Sequence, residues 1–460
     1  MKNRRVVITG TGIIAPTGVN VEEFWNNCLS GRTNVENIPE EWLNYAKYNS
    51  KIWSPLPLLD FDKYGLSRIE QKQLDMTSLL SIAAVFQAIE SAGFSYSKTD
   101  EKRNLYKIDK IDAEKVGVFI GTGIGGVSTL GECFSHQILN NQRKTLEEFF
   151  KKLEDKLDSE DKEHFNAIMA KFVLPHRFNP FAVSMIMSNA SSSNISIRFG
   201  IKGSNNTYCA ACASGTIAVG NAFRSIKNGM LDYAIAGGVE YMYDEYGALF
   251  YAFDTIKTLV NNNDKDIENS YCPFDKNRSG FLYSQGGSAV LMLEELEMAN
   301  ERGANIIAEI LEYSENSDGH NIMVLEPDGI NIRRMIDGLL KESNVNGQDV
   351  DYINAHGTGT ILNDEVESKI IEEIFGDKIL VNSTKSLVGH TLGASGAIEA
   401  LVTALSIKNK TTHICKNLKE PLRELNFVSE VKEYDIKTAI TQSFGFGGHN
   451  TALLMREYNG

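Results

Sequence analysis

The sequence predicts an α/β fold of layered strands and helices in two similar halves, and three observations carry that reading. Short apolar strands alternate with helical stretches along the whole chain. Two helices, one after Cys212 and one over Gly393 to Ile407, are built largely of small residues with almost no charge and read as buried on all sides. The 460 residues suffice for more than one domain-sized unit around a large core. We place the halves at 1–260 and 261–460. No sequence repeat accompanies them, so the duplication rests on pattern alone.

Taken in chain order, Arg5-Val6-Val7-Ile8-Thr9 reads as an opening strand that glycine and Pro16 close quickly. A helix is expected around Leu74 to Ala92, with apolar residues at helical spacing, and a strand over Val116 to Ile120. Residues 145–172 are rich in Glu and Lys, with Leu146, Phe149, Phe150, Leu153 and Leu157 on one helical stripe. They read as a surface helical insertion within about 135–180, a solvated amphipathic helix rather than a dedicated docking site. A strand over Asp232 to Gly238 follows the buried helix after Cys212. The second half repeats this alternation, with strand Ser288 to Leu293, helix Glu294 to Arg302, strand Ile306 to Leu311, and strand Tyr352 to Ala355 leading into His356.

Composition is ordinary for a globular protein, at 42% hydrophobic and 23% charged. The formal net charge of -14 argues against general nucleic-acid binding, which needs clustered Lys and Arg, but leaves room for a local basic patch. The N-terminus forms no signal-peptide core and no stretch reaches transmembrane length, so a cytoplasmic protein without membrane insertion is expected. Cysteines at 28, 133, 209, 212, 272 and 415 are too sparse for a disulfide framework.

Two glycine loops imitate phosphate-binding fingerprints. Gly121-Thr122-Gly123-Ile124-Gly125-Gly126 follows a strand, and Gly10-Thr11-Gly12-Ile13-Ile14-Ala15 fits the looser form. Pro16 and Gly18 spoil the second, and the first reads as a tight turn rather than a nucleotide site.

Cys209-Ala210-Ala211-Cys212 admits three readings. A metal site needs a second ligand pair, and no second C-x-x-C exists. A redox dithiol usually sits in a small βαβ domain. A nucleophile fits the position of Cys212 at the start of a buried helix, where the helix dipole is expected to lower the thiol pKa. Two histidines in loops of small residues favour the nucleophile: His356 in Asn354-Ala355-His356-Gly357-Thr358-Gly359-Thr360, and His390 in Val388-Gly389-His390-Thr391-Leu392-Gly393. His136, His164, His176, His320 and His413 lack such a setting and read as structural.

These segments, with Gln442-Ser443-Phe444-Gly445-Phe446-Gly447-Gly448-His449-Asn450, resemble the β-ketoacyl synthase family, of the β-ketoacyl-acyl-carrier-protein synthase II type. The resemblance runs nearly end to end and breaks mainly at 135–180. It implies a thiolase-like five-layered αβαβα sandwich. It further implies a decarboxylative condensation of an acyl group on Cys212 with a malonyl thioester, in fatty-acid elongation or in type II polyketide or polyene synthesis. His356, His390 and Lys385 would complete the catalytic set, with Glu399 in support. The backbone N–H groups of Cys212 and Phe446 would form the oxyanion hole. Phe446 would gate the site, with Gly445 and Gly447 easing its movement, and Thr358 and Thr360 would bind the phosphopantetheine arm. No cofactor of its own is implied, because that arm arrives on an acyl carrier protein, for which Arg68 and Lys72 are the docking candidates. A homodimer is expected, or a heterodimer with a ketosynthase-like partner.

The Cys-His-His set differs from thiolases, which carry a second cysteine in place of His390. Three departures from the family pattern stand out: His449 for a threonine, Ser279 for an aspartate, and Ser284-Gln285-Gly286 for an acidic stretch. A non-catalytic chain-length subunit, a thiol oxidoreductase using Cys209 and Cys212, and a degradative thiolase remain as alternatives.

Overall fold

The computed structural model of the chain describes residues 4–170, 178–261 and 266–460. Its opening strand does not stop at the glycines. β1 runs Val6–Ile14 and is buried throughout. A Cβ on Gly10 or Gly12 would lie 2.2 or 1.9 Å from a carbonyl oxygen of the helix Met76–Ser91, so both glycines let that helix lie directly on the strand. They mark close packing where the strand was expected to close.

The remaining strands of the main sheet are β2 (Val116–Gly121), β3 (Asn205–Tyr208), β4 (Tyr233–Tyr241), β5 (Gly286–Glu295), β6 (Ala308–Ser317), β7 (Tyr352–Asn354), β8 (Leu380–Asn382), β9 (Asn426–Phe427), β10 (Thr438–Gly445) and β11 (His449–Arg456). They hydrogen-bond in the order β3-β2-β4-β5-β1-β6-β11-β10-β7-β8-β9. The first five strands and the set β6, β7, β8, β10, β11 have the same plan. In each, the first strand is antiparallel to the fifth, the fifth antiparallel to the fourth, and the fourth, second and third run parallel. The duplication that pattern alone suggested is therefore explicit in the topology, with the first half running through β5 rather than ending at 260. The two half-sheets meet at a short antiparallel seam, where Val6, Val7 and Ile8 of β1 face Ile310, Glu309 and Ala308 of β6.

Helices complete the layers. α1 (Met76–Ser91), α2 (Val127–Leu153), α3 (Ser159–Ala170), α4 (Ala190–Phe199), α5 (Ser214–Lys227), α6 (Ile330–Ser343), α7 (Ile361–Phe375) and α8 (Ser395–Asn409) are the longer helices used below. α1 and α4 cover the outer face of the first half-sheet, and α6 and α7 cover that of the second. α5 and α8 lie between the sheets, where Ala218 and Ala222 share one core with Ala400 and Ala404. The order helix–sheet–helix–sheet–helix is the expected five-layered sandwich. Small residues in α5 and α8 suit a middle layer, where a helix meets apolar surface on every side.

The helical segment read as an insertion belongs to a helix that begins earlier than its composition indicated. α2 starts directly after the Gly121–Gly126 loop and α3 returns, with Phe150 stacked on Phe165 at 3.8 Å between ring centroids. Thr129 is the buried residue of α2, and α3 has none. Leu146, Phe150, Leu153 and Leu157 are half-buried in this hairpin, while Phe149 faces solvent. His176 lies outside the described residues. Among the described residues no helix is long and apolar enough to cross a membrane.

Candidate active site

Cys212 occupies the middle of a 3₁₀ turn, Ala211–Ala213, immediately before α5. Ala211 adopts a left-handed φ of 47°, which bends the chain sharply into the helix. The turn is held by Ser214, whose Oγ accepts from Ala210 N at 2.8 Å and donates to Ala211 O at 2.7 Å.

The structure brings both singled-out histidines to this cysteine. His390 Nε2 lies 3.0 Å from Cys212 Sγ, and its Nδ1 lies 3.0 Å from Ser395 Oγ. The His356 and His390 rings stand edge to face, 5.7 Å apart. Lys385 Nζ donates to His356 O at 2.7 Å and to His356 Nδ1 at 3.1 Å, and it is ion-paired with Glu399. Lys385 and Glu399 are each 1% exposed, which makes this a fully desolvated pair. An ammonium can only donate, so His356 Nδ1 must be the unprotonated nitrogen and Nε2 the ring's donor. Lys385 thus sets a tautomer.

Burial dominates the electrostatics. Desolvation pushes the Cys212 thiol up to about 12, although Lys385 and the backbone N–H groups of Phe446 and Cys212 pull it down. The lowered pKa expected from the helix start is overturned, because removing a thiolate from water outweighs the dipole of one helix end. The cysteine therefore needs a base, and His390 Nε2 is in reach. Desolvation and the Lys385 charge hold both histidines well below 6.5, hence neutral near pH 7.

Cys212, His356 and His390 line a cavity of ≈ 220 Å³ together with Thr358, Thr360 and Phe446. The Thr358 and Thr360 hydroxyls lie 2.9 Å apart, and Tyr271 OH donates to Thr358 O at 2.9 Å. Gly445 and Gly447 line the same space. The 445–448 loop is tied to the segment after β6: Gly447 N donates to Ile322 O and Asp318 N to Gly448 O, both at 2.8 Å. Asn450 Nδ2 donates to Asp318 Oδ1 at 2.6 Å. His449 starts β11, with its ring beside Gly447 rather than lining the cavity. Ser279 Oγ accepts from Asn261 N at 3.0 Å, and Gln285 bridges Leu56 N and Tyr241 OH.

Arg68 and Lys72 are not brought to this cavity. Both are exposed, on and just after the short helix Arg68–Gln71, which a Ser67–Glu70 capping box starts. Ile69 beside them is 70% exposed. Cys209 is exposed and Cys212 buried, both as free thiols. The ligand atoms of Cys212, His356 and His390 lie within 4.8 Å of one another, a spacing that a thiophilic cation could also bridge. His413 is buried beside Asn382 and Thr384, as a structural histidine should be.

Two residues that sequence reasoning missed are buried glutamates. Glu240, at the end of β4, accepts from Gly123 N (2.6 Å), Ile124 N (3.2 Å), Gly393 N (3.1 Å) and Thr122 Oγ1 (3.1 Å). The fingerprint-like loop does cradle an anion, and the anion is the chain's own carboxylate. Glu367, on α7, accepts from His356 N and Gly357 N at 2.7 Å each, and from Gln442 Nε2 at 2.7 Å. The signal for Glu240 was a carboxylate closing the apolar strand Ala234-Ile235-Ala236-Gly237-Gly238-Val239.

Comparison with known proteins agrees with this geometry. Residues 3–299 match the family described as "Beta-ketoacyl synthase, N-terminal domain", and residues 307–419 match "Beta-ketoacyl synthase, C-terminal domain". The chain is 34% identical to the 3-oxoacyl-[acyl-carrier-protein] synthase 2 of Synechocystis sp., covering 100% of this chain and 99% of that one. It is 32% identical to the protein of the same name from Staphylococcus aureus strain COL, covering 99% of each. A type II polyketide acyl-carrier protein in complex with its ketosynthase, AntDE:AntF, superposes with a TM-score of 0.81 at 26% identity, over 100% of both chains. The ishigamide ketosynthase/chain length factor superposes with a TM-score of 0.80 at 25% identity, over 99% of this chain and 100% of that one.

Proposed function

The chain belongs to the β-ketoacyl synthase family, acyltransferases that form carbon–carbon bonds, and from that premise we propose that it condenses an acyl group on Cys212 with a malonyl-acyl-carrier protein. The observation that carries the reading is the contact of Cys212 Sγ with His390 Nε2, beside a His356 whose tautomer Lys385 sets.

The reaction has two stages. In the first, His390 takes the Cys212 proton, the sulfur attacks the incoming thioester, and His390 passes that proton to the departing carrier thiol. The Cys212 and Phe446 N–H groups already point at the sulfur and can bind the oxyanion that develops on the adjacent carbonyl. In the second, a malonyl thioester loses CO₂ and its electrons pass to the thioester oxygen as an enolate. His356 Nε2–H donates to that oxygen, joined by His390 in its Nε2–H tautomer. The enolate carbon attacks the acyl-Cys212 carbonyl, the thiolate departs, and a β-ketoacyl-carrier product remains. Neutral imidazoles suit this role because they donate hydrogen bonds without adding a charge that would trap the malonyl carboxylate.

Thr358 and Thr360, on the cavity wall, hold the pantetheine arm in this reading, and because the carrier brings that arm the reading calls for no cofactor of the enzyme's own. Phe446 is the gating aromatic, moving on Gly445 and Gly447. Arg68 and Lys72 offer exposed positive charge to an acidic carrier protein. The names of the curated relatives favour elongation of fatty acyl chains. The polyketide ketosynthases among the structural relatives, with the insertion of α2 and α3, favour a specialised chain.

Both readings share one test. The protein is incubated with a panel of acyl-carriers, and intact mass shows whether Cys212 gains the acyl group and from which chain. Release of CO₂ from malonyl-carrier is followed in parallel. No acylation by any carrier together with no CO₂ release would sink the proposal.

A further inference from the structure

The site has a counterpart in the second half of the molecule. Cys212 is the middle residue of the 3₁₀ turn Ala211–Ala213 before α5, and Gly393 is the middle residue of the turn Leu392–Ala394 before α8. Both turns open on a non-glycine residue with positive φ, 47° at Ala211 and 43° at Leu392. Both are held by the first serine of the helix: Ser214 Oγ accepts from Ala210 N at 2.8 Å, and Ser395 Oγ accepts from Thr391 N at 3.1 Å. Gly393 therefore stands where Cys212 stands. Its N–H corresponds to the Cys212 N–H of the oxyanion hole, and it donates to Glu240 Oε2.

Glu240 also joins pieces that no other carboxylate joins among the described residues. Oε2 takes Gly123 N and Gly393 N, one from each half of the fold, and Oε1 takes Ile124 N and Thr122 Oγ1. Thr122 O in turn lies 3.1 Å from Ser214 Oγ, the hydroxyl that holds the Cys212 turn and shares its one proton between Thr122 O and Ala211 O. His390 lies three residues before Gly393 and bonds through Nδ1 to Ser395, which holds the second turn. One buried side chain, 0% exposed, thus links the turn that carries the nucleophile to the turn that carries its base.

We infer that Glu240 is a positioning residue for the Cys212–His390 pair, a built-in carboxylate that fills the second turn's anion site and fixes the spacing of the two turns. The inference rests on Cys212 being the acyl carrier. A further consequence is electrostatic. Burial pushes the Glu240 carboxyl up to about 7, and once ionised above that value it raises the Cys212 thiol pKa, opposing Lys385 and the two N–H groups at the sulfur. The titratable groups that feel the Glu240 charge include Cys212, Cys209 and Tyr283. Those facing Cys212 are His390, His356 and Lys385 besides Glu240.

The test compares the full-length wild type with Glu240→Gln and Glu240→Ala. Gln keeps the volume but has one acceptor oxygen for four donors. Cys212 alkylation by iodoacetamide is followed by intact mass between pH 7 and 11, alongside condensation kinetics and melting temperature. In Glu240→Gln the alkylation profile moves to lower pH, because a charge that disfavours the thiolate is gone. Its condensation kcat falls by about tenfold to a hundredfold, the cost of a misplaced reacting pair, while KM for malonyl-carrier stays within about threefold. The inference is overturned if Glu240→Gln has wild-type kcat with a superimposed alkylation profile. It is equally overturned if kcat and melting temperature fall together and the profile does not move. Should Glu240→Ala fail to fold, Glu240→Gln decides alone. Lack of condensation by the wild type counts against the condensing reading instead, and the alkylation arm still judges Glu240.

Discussion

Replacing Lys385 with Met keeps the volume of the side chain and removes its charge, so it isolates what the cation does. In the native site Nζ serves Glu399, His356 O and His356 Nδ1. Without it, nothing obliges the His356 proton to sit on Nε2, and the ring can present a lone pair where the enolate needs a donor. One such donor is worth about 2.7–4 kcal/mol, or roughly 10²–10³ in rate. That range bounds the expected loss in CO₂ release from malonyl-carrier. Acylation of Cys212, read by intact mass, should fall far less, because His390 is the base in that step. Stability changes separately. Breaking a buried ion pair costs about 3–5 kcal/mol, but Glu399 already sits up at about 7 through burial, and it can escape by taking a proton. The unfolded carboxyl titrates near 4.5, so the folded state holds a proton that the unfolded state lacks. That contribution is present at low pH and is lost as pH rises through the folded value. Lys385→Met should therefore melt closer to wild type at pH 6 than at pH 8. Adding Glu399→Gln should recover the melting temperature at pH 8 without recovering CO₂ release. A folded Lys385→Met enzyme that releases CO₂ within about threefold of wild type would refute the tautomer argument.

Other expectations separate the two stages. His356→Ala should cost roughly 10²–10³ in CO₂ release while leaving Cys212 acylation within about tenfold; the reverse order of effects would reassign the two histidines. Both imidazoles are held well below 6.5, so the acid limb of kcat/KM should lie below pH 6.5 and activity should persist through that value; an inflection at 6.5 would show that one ring titrates normally. Cys209→Ser should condense within about twofold of wild type, since that thiol is exposed and absent from the cavity lining, and loss of turnover would revive the dithiol reading.

The residues of the candidate site were legible in the sequence because each sits at a chain reversal that needs small neighbours. His356 ends a strand, and His390 and Cys212 precede helices with no room for bulk. The pKa of Cys212 was misread because the helix start is visible in a sequence and burial is not. The helix dipole argues for a thiolate, and only the packed structure shows the desolvation that outweighs it. Gly10 and Gly12 looked like the end of a strand since a glycine that admits a helix and one that ends a strand are spelled alike. Glu240 and Glu367 escaped because their partners are backbone N–H groups. Gly123 and Gly393 lie more than a hundred residues from Glu240 in either direction, and a backbone donor leaves no letter to read. The lining of the cavity by Asn321, Met323 and Val324 was hidden for the same reason, since it follows from the bonds of 445–448 to a distant loop.

The seam between β1 and β6 bears on how the molecule is made. β1 leaves the ribosome long before its neighbours, β5 at 286–295 and β6 at 308–317. β6 in turn waits for β11 at 449–456. Each half-sheet closes on its earliest strand with its latest, so neither is complete until its own synthesis ends. Loop-closure entropy must be met before these pairings contribute. A nascent chain of some 280 residues carries an apolar β1 with no strand to receive it, a state prone to aggregation. Folding of this protein is thus tied to the synthesis of β11, and a nonsense mutation even within that strand strips β6, and with it the seam, of its neighbour.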